Sequence, residues 1–342
     1  MDKKQQKNTG RPPRVLRIAL RAIVTALAII WLAAVIDWKQ VATSLISIDR
    51  RWVFASFALY ILYVVPCAIR WQVAARSAGF SISFRSAMYW YFVGDFFNSF
   101  LPTGHGGDVV RAGMVSRRYG VSLGTVTGTV LMERIAGVVV AVGIFTAILP
   151  FAEHVAYKKE LIRVSIVLTS VALCFFILAH IPVLRKLIIN SAKKIPNDYS
   201  RRFVCDIISA MDICKKKYSP VVLIGLLSAL NQGLMIGSAY LLSLCIAGFE
   251  ADWYSYVLVV TLIFFAGLIP SIGGYGVSEA GYVVFFGWFG VGETPSAVFA
   301  VVKLLFDLSV ALIGGLLFCI GFSNAKKGFL NEETSLYTRW RN

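Results

Sequence analysis

Eight ionisable side chains interrupt strongly apolar stretches of this 342-residue chain: Asp95, Asp108, Arg111, Glu133, Arg134, Glu279, Lys303 and Asp307. If those stretches lie in a bilayer, each charge costs about 2.5–3.5 kcal/mol to place there on insertion scales, so it must be paired or used. Asp108 and Arg111 are spaced i,i+3, and Lys303 and Asp307 i,i+4, the spacings at which helical side chains meet. A guanidinium such as Arg111 or Arg134 can grip a phosphate with a planar fork of donors. The glycines before Arg111 (Gly104, Gly106, Gly107) and before Glu279 (Gly273, Gly274) add potential backbone donors at a helix start. The chemistry this points to is binding of a charged headgroup, with Glu279, His105 and Asp307 as candidates for carrying a proton or ion. The plainer alternative is a set of buried ion pairs tying helices together, with His105 structural.

These residues lie in a repeat. Phe96–Gly113 (FFNSFLPTGHGGDVVRAG) and Phe264–Gly281 (FFAGLIPSIGGYGVSEAG) align without a gap at an offset of 168 residues, with seven of eighteen positions identical. At one matched position the charge reverses, Arg111 against Glu279. The expectation is that the two segments meet across a pseudo-twofold axis and offer a cation from one half and an anion from the other. Proline, glycines and charges break the apolar run in each, so each reads as a re-entrant or broken helical hairpin lining an internal cavity.

The elements that position these hairpins follow from composition. At 58% hydrophobic and 15% charged residues, the chain is too apolar for a soluble fold and reads as an all-α polytopic membrane protein. Six apolar stretches are long enough to cross as helices: 21–36 with its flanks, 52–74, 121–150, 161–180, 220–246 and 296–322. The expected organisation is a basic N-terminus, first span and outer loop (1–51), and a first repeat half (52–150) with a hairpin at 86–118. A connecting span and basic segment (151–219) lead to a second half (220–322) with a hairpin at 254–292, then a tail (323–342).

Thirty-four Lys and Arg against 18 Asp and Glu give a net charge of +16. The excess clusters at the N-terminus, around residues 181–218 and in the tail, which places both termini in the cytoplasm by the positive-inside bias. On this orientation Arg70, Arg76 and Arg85 follow span two on the inner side, and the acidic flanks of the second hairpin fall outside. The halves then have opposite directions, an inverted-topology repeat of the kind found in secondary transporters. Residues 183–218 mix apolar and basic residues and are expected to lie on the inner leaflet as an amphipathic helix.

Several classes are set aside. Juxtamembrane basic clusters account for the charge without a nucleic-acid partner. Six dispersed cysteines without CxxC spacing read as packing residues, and no metal, cofactor or nucleotide site is expected. Asp95 reads as an interface residue. The basic stretch before residue 22 reads as the flank of a retained anchor.

Three stretches, LPTGHGGDVVR (Leu101–Arg111), MERIAG (from Met132, with Glu133 and Arg134) and IPSIGGYGVSEAG (Ile269–Gly281), resemble the membrane region of lysylphosphatidylglycerol synthetases and their stand-alone, flippase-like relatives. The resemblance covers almost the whole chain. It implies a protein of the prokaryotic inner membrane that moves a phospholipid or lipid-linked molecule between leaflets, with anionic or zwitterionic headgroups as ligands. The soluble aminoacyltransferase domain of the synthetases has no counterpart after the last span, so the expected protein is not an enzyme. The alternatives are an intramembrane enzyme acting on a lipid phosphate, or a scaffold for a lipid-synthesis enzyme partner.

Overall fold

The computed structural model of the chain describes residues 14–101, 106–153, 155–180, 190–191, 198–213, 218–267, 269 and 271–339, and the secondary structure of these is helical throughout. Helix α1 (Arg14–Val35) turns by 82° into α2 (Trp38–Ser47). The turn is fixed by Asp37, whose carboxylate accepts from the amides of Lys39 and Gln40 at 3.0 and 3.2 Å, meeting donors that the start of α2 leaves unpaired. Asp49 does the same for α3 (Arg50–Ile61) at the Arg51 amide, 2.9 Å.

Helix α4 (Val64–Ser77) continues α3, and together they form a 28-residue span. The break between them sits just before Pro66, which has no amide to give the preceding turn. Helices α5 (Phe84–Phe100) and α6 (Gly106–Tyr119) form the first hairpin, and α7 (Leu123–Ile148), begun by the Ser122 hydroxyl accepting from the Thr125 amide, crosses beside it. Helix α8 (Lys158–His180) is followed by α9 (Asp198–Ile213), then by α10 (Tyr218–Ser243). The second hairpin is α11 (Trp253–Ala266) and α12 (Val277–Gly287), and α13 (Glu293–Arg339) closes the described chain. The expected spans at 52–74, 121–150, 220–246 and 296–322 correspond to helices with the length and apolarity to cross a membrane, and the bent α1–α2 pair passes the same test.

The repeat extends well beyond the two matched segments. Shifting α3–α4, α5, α6 and α7 by the same 168 residues lands on 218–245, 252–268, 274–287 and 291–316, the positions of α10, α11, α12 and the first part of α13. The packing has matching reciprocity. Helix α5 packs on α13, and its counterpart α11 packs on α7, while α3–α4 lies along its own counterpart α10. Ser56 and Ser238 lock that last seam: each hydroxyl donates to the other residue's carbonyl, at 2.8 and 3.0 Å. Small hydroxyl residues allow close helix approach where lipid provides no hydrophobic drive between helices.

The hairpin helices are short. At about 1.5 Å per residue, the 17 and 14 residues of α5 and α6 and the 14 and 11 of α11 and α12 span roughly 25, 21, 21 and 16 Å, each less than a hydrocarbon core of about 30 Å. The crossing helices bear large exposed apolar side chains, Leu27, Leu226 and Leu316 among them, as a lipid-facing surface requires. Two apolar cores flank the centre. One gathers Trp71, Trp90, Val93 and Val115 in the first half, and the other stacks Phe249, Phe286 and Phe299 in the second. The polar site lies between them.

Within 183–218 the described helix is α9, which is amphipathic and packs on α7. Residues 181–189, 192–197 and 214–217 of that segment lie outside the described residues.

Candidate functional site

Glu133, near the middle of α7, is the centre of the site. It is 2% exposed and lies between two guanidiniums, with Arg70 Nε of α4 at 3.3 Å and Arg111 Nη2 of α6 at 3.2 Å. Arg111 also reaches Asp108 at 3.6 Å, and Asp108 takes Arg134 Nη2 at 2.7 Å. Arg70, Glu133, Arg111, Asp108 and Arg134 therefore form a chain of alternating charge across three helices, with one net positive charge. Two aromatic faces hold its middle, since the Arg111 guanidinium carbon lies 4.3 Å from the Trp71 ring centroid and 4.2 Å from that of Tyr91. The Tyr91 hydroxyl donates to Glu133, and Arg70 donates to the Ser228 hydroxyl at 3.0 Å.

The chain ends in a cavity of about 340 Å³ lined by α4, α5, α6, α7, α10, α11, α12 and α13. Arg134 is its most accessible cation, with a side chain 44% exposed, while Arg111 is only 3% exposed. From the second half, α13 contributes the predicted pair: Lys303 Nζ lies 2.9 Å from Asp307 Oδ1 and 3.9 Å from the Tyr60 ring centroid. The Tyr60 hydroxyl donates to the same Asp307 oxygen. Asp95 lines this cavity, takes the Tyr63 hydroxyl on Oδ2, and also lines a second space of about 210 Å³ between the hairpins.

Arg111 and Glu279 do not meet. Arg111 turns to Glu133 and Asp108 within its own half. Glu279 folds back on its own helix, where Oε2 accepts from the Gly276 amide at 2.6 Å, and it lines the smaller space. A carboxylate three residues into a helix satisfies an amide that the helix start leaves without a partner. The hairpins do meet, but through backbone. A side chain at Gly273 (φ +63°) would place its Cβ 2.4 Å from the Ser99 carbonyl oxygen, so only glycine admits this contact.

The glycines of the first hairpin are likewise packing residues. A Cβ on Gly107 would fall 1.8 Å from the Gly94 carbonyl oxygen, and the Gly107 amide donates to Asn98 Oδ1 at 2.8 Å. That amide is therefore committed to the hairpin and not to a phosphate. Gly106 is buried beside it, and Gly274 lines the smaller space. Gly104 and His105 lie outside the described residues. Among the described residues no group of three or more His, Cys, Asp and Glu could hold a metal ion.

Sequence reasoning missed Arg70, read as a flanking charge although it falls four residues before the expected end of span two. It also missed Asn231, whose Oδ1 lines the cavity buried and without a hydrogen-bond partner. A third omission is apolar. A groove of about 680 Å³ runs along α6, α7 and α11, with Val109, Leu123, Val130 and Leu131 in its wall and Phe203 of α9 contributing. It shares Arg134, Ile263 and Phe264 with the polar cavity, so the two spaces adjoin at the accessible cation.

A comparison with curated proteins returns no match. The family model described as the lysylphosphatidylglycerol synthase TM region matches residues 18–315, nearly all of the described helical body, and the chain belongs to that family. It is an integral membrane protein of a lipid-related family.

Proposed function

We propose that the protein is a lipid translocase that carries a charged headgroup through the polar cavity while the acyl chains follow the adjoining groove. One observation carries this reading: a polar cavity lined by charges and an apolar groove share a wall at Arg134, Ile263 and Phe264. A molecule filling both must be amphiphilic, with its anionic part at the guanidinium. A guanidinium already bound to one carboxylate keeps further N–H donors for a phosphate oxygen.

In this reading both termini face the cytoplasm of a prokaryotic inner membrane, the first hairpin re-enters from inside and the second from outside. The two halves rock about the Ser99–Gly273 contact, opening the cavity to one leaflet and then the other. The Arg70–Glu133–Arg111 cluster stays rigid, and Arg134 presents the charge that changes partners. No bond in the lipid is made or broken. The test is leaflet-resolved movement of chain-labelled phospholipids in liposomes holding the purified protein, with the lipids checked by mass spectrometry. Protein-dependent exchange of unchanged lipid is the expected result. A chemically altered lipid would replace the translocase with an enzyme.

A further inference from the structure

One wall of the apolar groove is supplied by α9, a short amphipathic helix. Its Phe203 joins Leu123 and Thr127 of α7 in the lining, and Leu123 is the first residue of α7, so α9 stands at the end of the groove where that helix begins. Arg134 lies eleven residues further along α7, about 16 Å at 1.5 Å per residue. A lipid entering at this end, the inner leaflet in the proposed orientation, passes Phe203 before it reaches the accessible guanidinium.

Close backbone approach seats α9 on α7. A Cβ on Gly124 would fall 2.5 Å from the Phe203 carbonyl oxygen and 2.6 Å from Asp206 Cβ, so only glycine lets α9 lie this near. The same seat recurs in the other half. The offset of 168 carries the first eight residues of α2 onto 206–213, the second half of α9, and α2 packs on α13 as α9 packs on α7. There the Thr294 hydroxyl of α13 donates to Gln40 Oε1 of α2 at 3.2 Å. A surface helix resting on the start of a crossing helix is therefore part of the repeated design.

Two resting places are open to α9. An amphipathic helix at a membrane surface can bury its apolar face in the leaflet as well as on protein. Lipid tails are as apolar as the side chains of α7, so the hydrophobic effect does not choose between them and the choice falls to packing. We propose that α9 is a lid: seated at Gly124 it closes the inner end of the groove with Phe203, and lifted onto the inner leaflet it admits a lipid. What passes beneath the lid rests on the translocase reading; the movement of α9 does not.

The experiment has two arms, both on the full chain in liposomes with its native cysteines replaced by alanine. Spin labels on Arg118→Cys and Arg202→Cys, both exposed positions, report the distance between the end of α6 and α9 by pulsed electron resonance. Two distance populations are expected, and Gly124→Ala should raise the lifted-to-seated ratio at least tenfold. Alanine also favours helix over glycine, so the variant lifts α9 without weakening α7. A single distance that Gly124→Ala leaves unchanged overturns the lid, whether or not lipid moves. In the second arm, bridging Thr127→Cys to Phe203→Cys with a reducible bifunctional thiol reagent should slow phospholipid exchange at least tenfold, and reduction should restore it. Exchange that is as fast with the bridge in place overturns the lid and leaves the translocase standing. Two α9 distances with no exchange by the unbridged protein would support the movement of α9 and overturn the translocase reading.

Discussion

Replacing Glu133 with Gln removes the anion on which two buried guanidiniums converge. Arg70 and Arg111 would remain buried, 10% and 3% exposed, with Arg70 keeping uncharged partners such as the Ser228 hydroxyl and the Cys67 sulfur. Breaking a buried pair by deleting one partner typically costs about 3–5 kcal/mol, because the surviving charge is left uncompensated. Arg111 keeps Asp108 at 3.6 Å, so Arg70 is the stranded charge and the variant falls within that range. At roughly 2–4 °C per kcal/mol for a chain of this order of size, the apparent Tm should fall by about 6 to 20 °C. The assay is thermal unfolding of the purified protein in a fixed detergent, followed by tryptophan fluorescence, since Trp71 lies against the cluster. A second variant carrying both Glu133→Gln and Arg70→Met should recover part of the loss by removing one stranded charge. A Tm within about 2 °C of the parent for Glu133→Gln would refute the claim that this cluster holds α4, α6 and α7 together.

Arg134→Ala should behave differently from Arg111→Ala. The half-exposed Arg134 pair contributes at most about 1 kcal/mol to stability, so its variant keeps its Tm and loses lipid movement, whereas Arg111→Ala unfolds at a visibly lower temperature; equal Tm losses would remove the distinction between framework and ligand cations. Gly107→Ala inserts a Cβ 1.8 Å from the Gly94 carbonyl oxygen, so the hairpin must part at a cost of about 1–3 kcal/mol or more, and limited proteolysis between α5 and α6 should accelerate; unchanged cleavage would contradict the close approach. Leu131→Trp, a half-exposed wall residue of the apolar groove, should slow lipid exchange at least fivefold with Tm unchanged, and exchange at the parent rate would argue against an acyl-chain path there.

The repeat was legible because identity at an offset survives in Pro, Gly and Phe. The same offset then predicts where α10, α11, α12 and α13 begin. Pairs within one helix were legible too: Asp108–Arg111 and Lys303–Asp307 follow from helical spacing alone. Pairs between helices were not. Arg70 and Glu133 are 63 residues apart, and no local pattern reports that α4 and α7 bring them together. The expected meeting of Arg111 with Glu279 fails for a reason the symmetry itself contains. Equivalent positions in an inverted repeat meet only if they lie on the axis, and the hairpins touch instead at Ser99 and Gly273, which are not equivalent under the offset. The sequence did hold a signal for Glu279, a glycine followed three residues later by a glutamate at a helix start, which is the pattern of a cap.

The most direct measurement of the central claim is the rate at which a chain-labelled phospholipid becomes accessible in the opposite leaflet of liposomes, with parent protein and Arg134→Ala at equal density and equal Tm. Exchange that the parent accelerates and Arg134→Ala reduces at least tenfold is the predicted result. Equal exchange by the two proteins would separate lipid movement from the cavity, and no acceleration by a folded parent would contradict the account altogether.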